Sequence, residues 1–165
     1  MNKIKLTFFL LFTTLCFGQT YLLPNEEVIF SFQTKNGKKM VLAKDKENEY
    51  IIYRFGNSKK IELEYPSTKD KNSWNKFMYS YYHRGGGVQN SGMELNSLFF
   101  KNGNFEYVIY YDYHAEGEVY EAGILITDLI INKDLNIKGI YKSVEGDLHE
   151  IFNTGLIKED KDRIR

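Results

Sequence analysis

The sequence predicts an all-β fold, a small antiparallel β-barrel or sandwich with a short C-terminal helical turn. Three observations lead there. Apolar and polar residues alternate with period two in short runs. Gly, Asn and Lys clusters punctuate those runs, among them Asn36-Gly37 and Asn102-Gly103. The chain also carries 13 tyrosines, which suit sheet rims because the ring packs while the hydroxyl reaches solvent or a partner.

Val28, Phe30 and Phe32 alternate with Ile29, Ser31 and Gln33 in a first strand. Asn36-Gly37 turns it into a returning strand, Met40 to Ala43. Tyr50 to Phe55 is a third, closed by Gly56-Asn57. Lys60 to Tyr65 is a fourth, with Ile61, Leu63 and Tyr65 inward. Pro66 ends it, because proline cannot donate to a ladder. Ser67 to Asn75 is polar and reads as a loop. Phe77, Tyr79 and Tyr81 alternate with Met78, Ser80 and Tyr82 in a fifth strand.

Met93 to Lys101 is a sixth strand, which Asn102-Gly103 turns into Phe105 to Tyr113, the clearest hairpin in the chain. Val119 to Ile131 continues the meander, and Leu135 to Lys142 adds a last short strand. Leu148, Ile151 and Phe152 fall at helical spacing, so Asp147 to Phe152 reads as one or two helical turns capped by Asp147. Residues 19–157 are expected to form a single domain, and the charged residues 158–165 a frayed tail.

Residues 1–18 read as a secretory signal peptide. Lys3 and Lys5 precede an apolar run from Leu6 to Phe17, and Cys16-Phe17-Gly18 supplies small residues before a cut at Gln19. The run is about 12 residues, against the roughly 20 a membrane helix needs, and no later segment approaches that length. A periplasmic or extracellular location follows. Cys16 opens a second possibility, a lipoprotein cut before the cysteine, although Leu15 stands where that processing wants a small residue. Cleavage after Gly18 removes the only cysteine, and with it any disulfide or thiol chemistry. What remains of the 165 residues is enough for one core burying about 68–70% of its unfolded surface. From 22 basic and 22 acidic residues, loss of Lys3 and Lys5 leaves a formal charge of −2. That balance argues against nucleic acid or an anionic membrane as partner.

Two segments are candidates for recognition. His83, Arg84, Gly85, Gly86 and Gly87 open a loop that continues through Asn90, Ser91 and Glu94. Consecutive glycines permit positive φ, and their amides beside Arg84 could form an anion nest; a wide structural turn is the alternative. No helix follows, which excludes a P-loop. The second segment is on the strand before Ala115. There Tyr110, Asp112 and His114 share one face and are read as open, while Tyr111 and Tyr113 share the other and are read as core.

The three histidines, His83, His114 and His149, have no diagnostic metal spacing, so neither metal nor cofactor is expected. Catalysis finds no support either. The exported chain would lack a cysteine nucleophile and a Gly-x-Ser-x-Gly elbow. Glu62 with Glu64, and Glu116 with Glu118, read as solvated strand faces rather than acid–base pairs.

Three sets of phrases recur together: Phe32-Gln-Thr-Lys-Asn-Gly-Lys38; Tyr53-Arg-Phe-Gly56 with Ile61-Glu-Leu-Glu-Tyr-Pro66; and Tyr81-Tyr-His-Arg-Gly-Gly-Gly87 with Asn90-Ser-Gly-Met-Glu-Leu95. In these blocks the chain resembles a group of small exported bacterial β proteins of unassigned function. The resemblance implies export and a β fold, and it carries no activity. Members of that group often have a cysteine near the position of Gln33, so no disulfide transfers. Ser91-Gly92 ahead of a strand also resembles the membrane-bound inhibitors of c-type lysozyme, small periplasmic β-barrels that insert a Ser-Gly loop into the lysozyme cleft. The aromatic residue expected three positions after the glycine is replaced by Leu95.

The sequence therefore points to an exported, non-enzymatic binding protein. The expected partner is a protein of the envelope or the exterior, such as a cell-wall-degrading enzyme or a toxin, bound through residues 83–94 with Arg84 as anchor. A glycan or small ligand held by Tyr110, Asp112 and His114 is the alternative, and a hydrolase the third.

Overall fold

The computed structural model describes residues 21–164, so the expected leader, Cys16 and both expected cleavage positions lie outside the described residues. Two sheets share one core. The first contains β1 (Glu26–Gln33), β2 (Lys39–Asp45), β3 (Ile51–Asn57), β4 (Lys60–Tyr65) and β10 (Glu145–Gly146), in the order β10-β1-β2-β3-β4. The second contains β5 (Met78–Arg84), β6 (Met93–Asn102), β7 (Phe105–His114), β8 (Val119–Asp128), β9 (Lys133–Lys138) and β11 (Lys158–Glu159), in the order β11-β5-β6-β7-β8-β9. All pairings are antiparallel except that of β11 with β5. The sheets touch through the isolated bridge Thr34–Gly139 and do not close. The all-β expectation holds, and of its two forms the closed barrel is ruled out. No helix among the described residues is long and apolar enough to cross a membrane.

Facing aromatic rings fill the core. Tyr53 of β3 meets Phe100 of β6 at 5.0 Å between centroids, and Phe30 of β1 meets Tyr111 of β7 at 5.4 Å. Helix α1 (Glu150–Asn153) follows Asp147, whose Oδ1 accepts the His149 amide at 2.9 Å. Around it, Leu148, Ile151 and Ile157 complete the core.

The expected alternation in β1 breaks at a bulge. Val28 pairs with Ala43, but Phe30 pairs with Leu42, leaving Ile29 as the extra residue. Val28 therefore joins the outer face with Val41, Ala43, Tyr50 and Ile52, while Ile29 and Phe30 both enter the core. The bulge also receives β10. The Ile29 carbonyl accepts the Asp147 amide at 3.1 Å. Gly146 stands against it with φ 79°, where a Cβ would lie 2.1 Å from that oxygen.

Sheet 1 is covered on its outside as well, by Tyr21 and Leu22. Beneath this segment Arg54 and Glu26 form a buried ion pair, at 2.6 and 2.8 Å. Residues 67–75 are not simply a polar loop. A 3-10 turn, Lys71–Lys76, inserts Trp74 into the core and donates its indole N–H to the Asn48 carbonyl at 3.2 Å.

The tail, expected to fray, is placed against the second sheet through residue 164. Lys158 and Glu159 pair with Met78 and Tyr79. Arg163 then lies 3.9 Å from the centroid of the Phe99 ring and reaches Glu106 at 2.5 Å. Its charge is thus matched and its guanidinium stacked, which holds a segment that composition alone marks as solvated.

Candidate functional site

Strand register decides which side chains meet. Directly opposed residues point to one face of a sheet. Tyr79–Leu98–Ile109–Ile124 is a core row across β5 to β8. Two residues further along lies the row Tyr81–Asn96–Tyr111–Ala122, and beyond it His83–Glu94–Tyr113–Tyr120. The core side therefore passes from apolar to polar and aromatic toward one end of the sheet. A cavity of about 410 Å³ opens there, lined by Glu94, Asn96, Tyr111, Asp112, Tyr113, Tyr120 and Asp147.

Hydrogen bonds fix the inner part of this cavity. The Tyr79 hydroxyl donates to Asn96 Oδ1 at 2.5 Å and contacts His149 Nδ1 at 3.0 Å. With its proton committed to Asn96, Tyr79 accepts from His149, which requires the Nδ1–H tautomer. Asn96 Nδ2 in turn donates to Glu94 Oε1 at 3.2 Å. The donors all point toward Glu94, so a chain begun at α1 orients this carboxylate. Asn96 is 2% exposed, so its two bonds offset the cost of burying an amide.

Tyrosines make the outer wall. Tyr120 lies between Tyr113, at 4.6 Å between centroids, and Tyr141, stacked at 4.8 Å. Burial raises the Tyr79 and Tyr81 phenols, and Asp147 and Glu94 raise them further. Burial also pushes Tyr111 up to about 12, helped by Tyr141, Tyr120 and Asp147. The phenols are neutral donors at physiological pH, and the field around them is negative.

The sequence candidates divide across the sheet. Glu94 enters the cavity, and His83, opposite it in register, sits exposed at the rim. Arg84 and His114 fall on the outer face with Met93. Arg84 Nε donates to the Ser91 carbonyl at 3.1 Å, and the Gly87 amide to the Asn90 carbonyl at 2.8 Å, so both bonds hold the loop. Gly85, Gly86 and Gly87 have no positive φ, which removes the geometry expected of an anion nest. Gly86 instead lies against Gly92, and a Cβ at position 86 would sit 3.4 Å from the Gly92 amide nitrogen. Gly85, Asn90 and Ser91 are exposed.

Tyr110 and Asp112 lie on the face of β7 opposite Tyr111 and Tyr113, as expected, but each is 1% exposed rather than open, and Asp112 also borders the cavity. The hydroxyl end of Tyr110 lies over Gly123 and donates to Asn136 Oδ1 at 2.9 Å, and the missing side chain at 123 leaves room for this burial on an outward side. Tyr111 and Tyr113, read as core from the sequence, do take the core side, where Tyr111 packs on Phe30, and both also line the cavity. His83 and His114 face opposite ways, and no group of three His, Cys, Asp or Glu among the described residues is placed to hold a metal ion.

Asn96, Tyr120, Asp147 and His149 are site residues that sequence reasoning misses. A signal exists for the first of them, since Glu94-x-Asn96 puts two polar side chains on a face that Leu98 and Phe100 continue as core. Comparison with known proteins finds no matching family model, curated protein or solved structure.

Proposed function

We propose that this chain is an exported, non-enzymatic binding protein whose ligand enters the cavity at the open end between the sheets. The observation that carries this is the change along β6, β7 and β8 from apolar to polar and tyrosine-rich core-side positions around about 410 Å³ of space. Polar residues at inward positions lower stability relative to apolar ones. A pocket of this size with a few oriented polar groups is the usual form of a small-ligand site. Export rests on the leader.

The test is a thermal-shift screen of the exported protein with cell-wall fragments, amines and organic acids. A ligand that raises the melting temperature should lose its effect in Tyr113→Ala, Tyr120→Ala. A hit unaffected by that variant, or a flat screen, refutes the assignment.

One observation favours a second use. Val88 is completely exposed, at 106%, on the loop held by Arg84–Ser91 and Gly87–Asn90. A preset apolar tip is suited to a protein partner. Ser91-Gly92, the pair on which the resemblance to lysozyme inhibitors rests, lies on the same loop. Here the chain would neutralise a cell-wall-degrading enzyme or a toxin. Pull-down from envelope extracts with Val88→Asp, Arg84→Ala as comparison tests it; equal recovery of partners by both proteins removes the loop from recognition.

A further inference from the structure

Resting on the cavity reading above, we propose that the bound group is an organic cation, an alkylammonium or guanidinium seated between the Tyr113–Tyr120–Tyr141 wall and the carboxylates of Glu94 and Asp147.

Two kinds of attraction converge on that place. The tyrosine faces carry the negative part of the ring quadrupole, which draws a cation within about 6 Å of a ring centroid. Their arrangement is already set, with Tyr120 at 4.6 Å from Tyr113 and 4.8 Å from Tyr141. Glu94 and Asp147 add formal negative charge to the same lining, which contains no lysine or arginine among the described residues.

The backbone and hydrogen-bond network hold both carboxylates in place. Glu94 is oriented by Asn96, and Asp147 is pinned through its own amide to the Ile29 carbonyl and through Oδ1 to the His149 amide. The phenols report the same field: at Tyr79, Tyr81, Tyr111 and Tyr120 burial acts first, and Glu94 or Asp147 adds to it in each case.

The basic groups nearby are accounted for. Arg84 lines the adjoining hollow, from the outer face, with Nε on the Ser91 carbonyl. His83 is at the rim, and His149 is engaged with Tyr79 and tilted against Tyr81 at 4.7 Å between centroids. An anion would meet like charge in this cavity. A neutral sugar would stack on the wall but leave the carboxylates without a countercharge.

The same nitrogen chemistry has two sources, a free amine and a basic side chain of a protein partner. Calorimetric titration at low salt separates them, using tetramethylammonium, spermidine, the tripeptide Gly-Arg-Gly with a blocked C-terminus, chitotriose and glutarate as probes. Binding of the cationic probes but not glutarate is expected. Tyr120→Leu should weaken it roughly 5- to 30-fold, and Glu94→Gln should weaken it to a comparable degree, each checked for an unchanged melting temperature. Tighter binding of the tripeptide points to a protein partner, and tighter binding of the free amines to a small metabolite.

Failure of the cations to bind, or an affinity unchanged in Glu94→Gln, overturns the inference. Binding of chitotriose or glutarate alone, abolished in Tyr113→Ala, Tyr120→Ala, would also overturn it while leaving the cavity as the binding site.

Discussion

Replacing Glu26 by glutamine tests how the outer face of the first sheet is held together. Arg54 and Glu26 are only 2% and 5% exposed. The guanidinium gives Nη1 and Nη2 to the two carboxylate oxygens at 2.6 and 2.8 Å. It also gives Nε to Glu64 at 2.6 Å and Nη1 to the Tyr21 carbonyl at 2.8 Å. Glu26 accepts in addition from the Leu23 amide at 2.8 Å and the Tyr50 hydroxyl at 3.0 Å.

Glu26→Gln removes the charge but not the shape. The buried arginine is left with Glu64, a partner nearer the surface, as its counter-ion. Stranding one member of a buried pair costs about 3–5 kcal/mol, and retention of Glu64 places this case at about 2–4. Glu26→Leu with Arg54→Met removes the desolvation cost together with the attraction, so it should fall within about 1 kcal/mol of the parent. Urea unfolding followed by Trp74 fluorescence measures both at constant slope. A Glu26→Gln cost below about 0.5 kcal/mol, or a double variant no more stable than the single, would refute the reasoning.

The same pair sets an acid limit. Burial opposes the charge on Glu26, but Arg54, the Leu23 amide and the Tyr50 hydroxyl outweigh it and hold the carboxyl below its ordinary 4.5. A lowered carboxyl contributes stability that is complete above the unfolded value and disappears as pH falls through the folded one. Glu26→Gln should flatten that acid limb.

Gly123→Ala would put a Cβ 2.4 Å from the Tyr110 hydroxyl and 2.8 Å from the Ile137 carbonyl. It should lower stability in urea unfolding by about 1–3 kcal/mol, with part recovered on adding Tyr110→Ala. Arg163→Ala removes the contacts with Phe99 and Glu106. A loss of about 1 kcal/mol is expected, with faster hydrogen exchange at the Asp160 amide that bonds the Tyr79 carbonyl. The Tyr111 phenol, raised by burial from 10.0 to about 12, releases its proton earlier in the unfolded chain than in the folded one. Stability should therefore fall as pH rises from 10 to 12, and Tyr111→Phe should remove that part of the slope in alkaline denaturation without changing the ultraviolet titration below pH 11.

Local signals in this chain are legible, and non-local ones are not. Asn102-Gly103 between two alternating runs is a self-contained hairpin instruction, and β6 and β7 follow it residue for residue. The bulge at Ile29 depends on which β2 residue faces which β1 residue, so alternation alone assigns Val28 to the wrong face. Trp74 is surrounded in sequence by polar residues, and its place in the core is set by the distant Asn48 carbonyl and by β3.

At the site, period two pairs Tyr110 with Asp112 and Tyr111 with Tyr113 and puts the second pair inward, where Phe30 of the other sheet meets Tyr111. It does not show that the outward pair is buried as well. The burial of Tyr110 depends on the missing side chain at Gly123, on the neighbouring strand. Glu94 is legible because it flanks a glycine-rich loop. Asp147 reads only as a helix cap, since nothing local shows that β10 carries it across to the opposite sheet.

The phenol lying over Gly123 also ties separate positions into one evolutionary character. Tyr110 needs the missing side chain at 123 and uses Asn136 as its acceptor. In a related chain that gains a side chain at 123, a smaller residue should appear at 110, and the selection holding an amide at 136 should relax. Joint substitution at 110, 123 and 136 across a set of relatives would then mark the descent of this outer face from sequence alone, even where the residues around the cavity have diverged to suit other ligands.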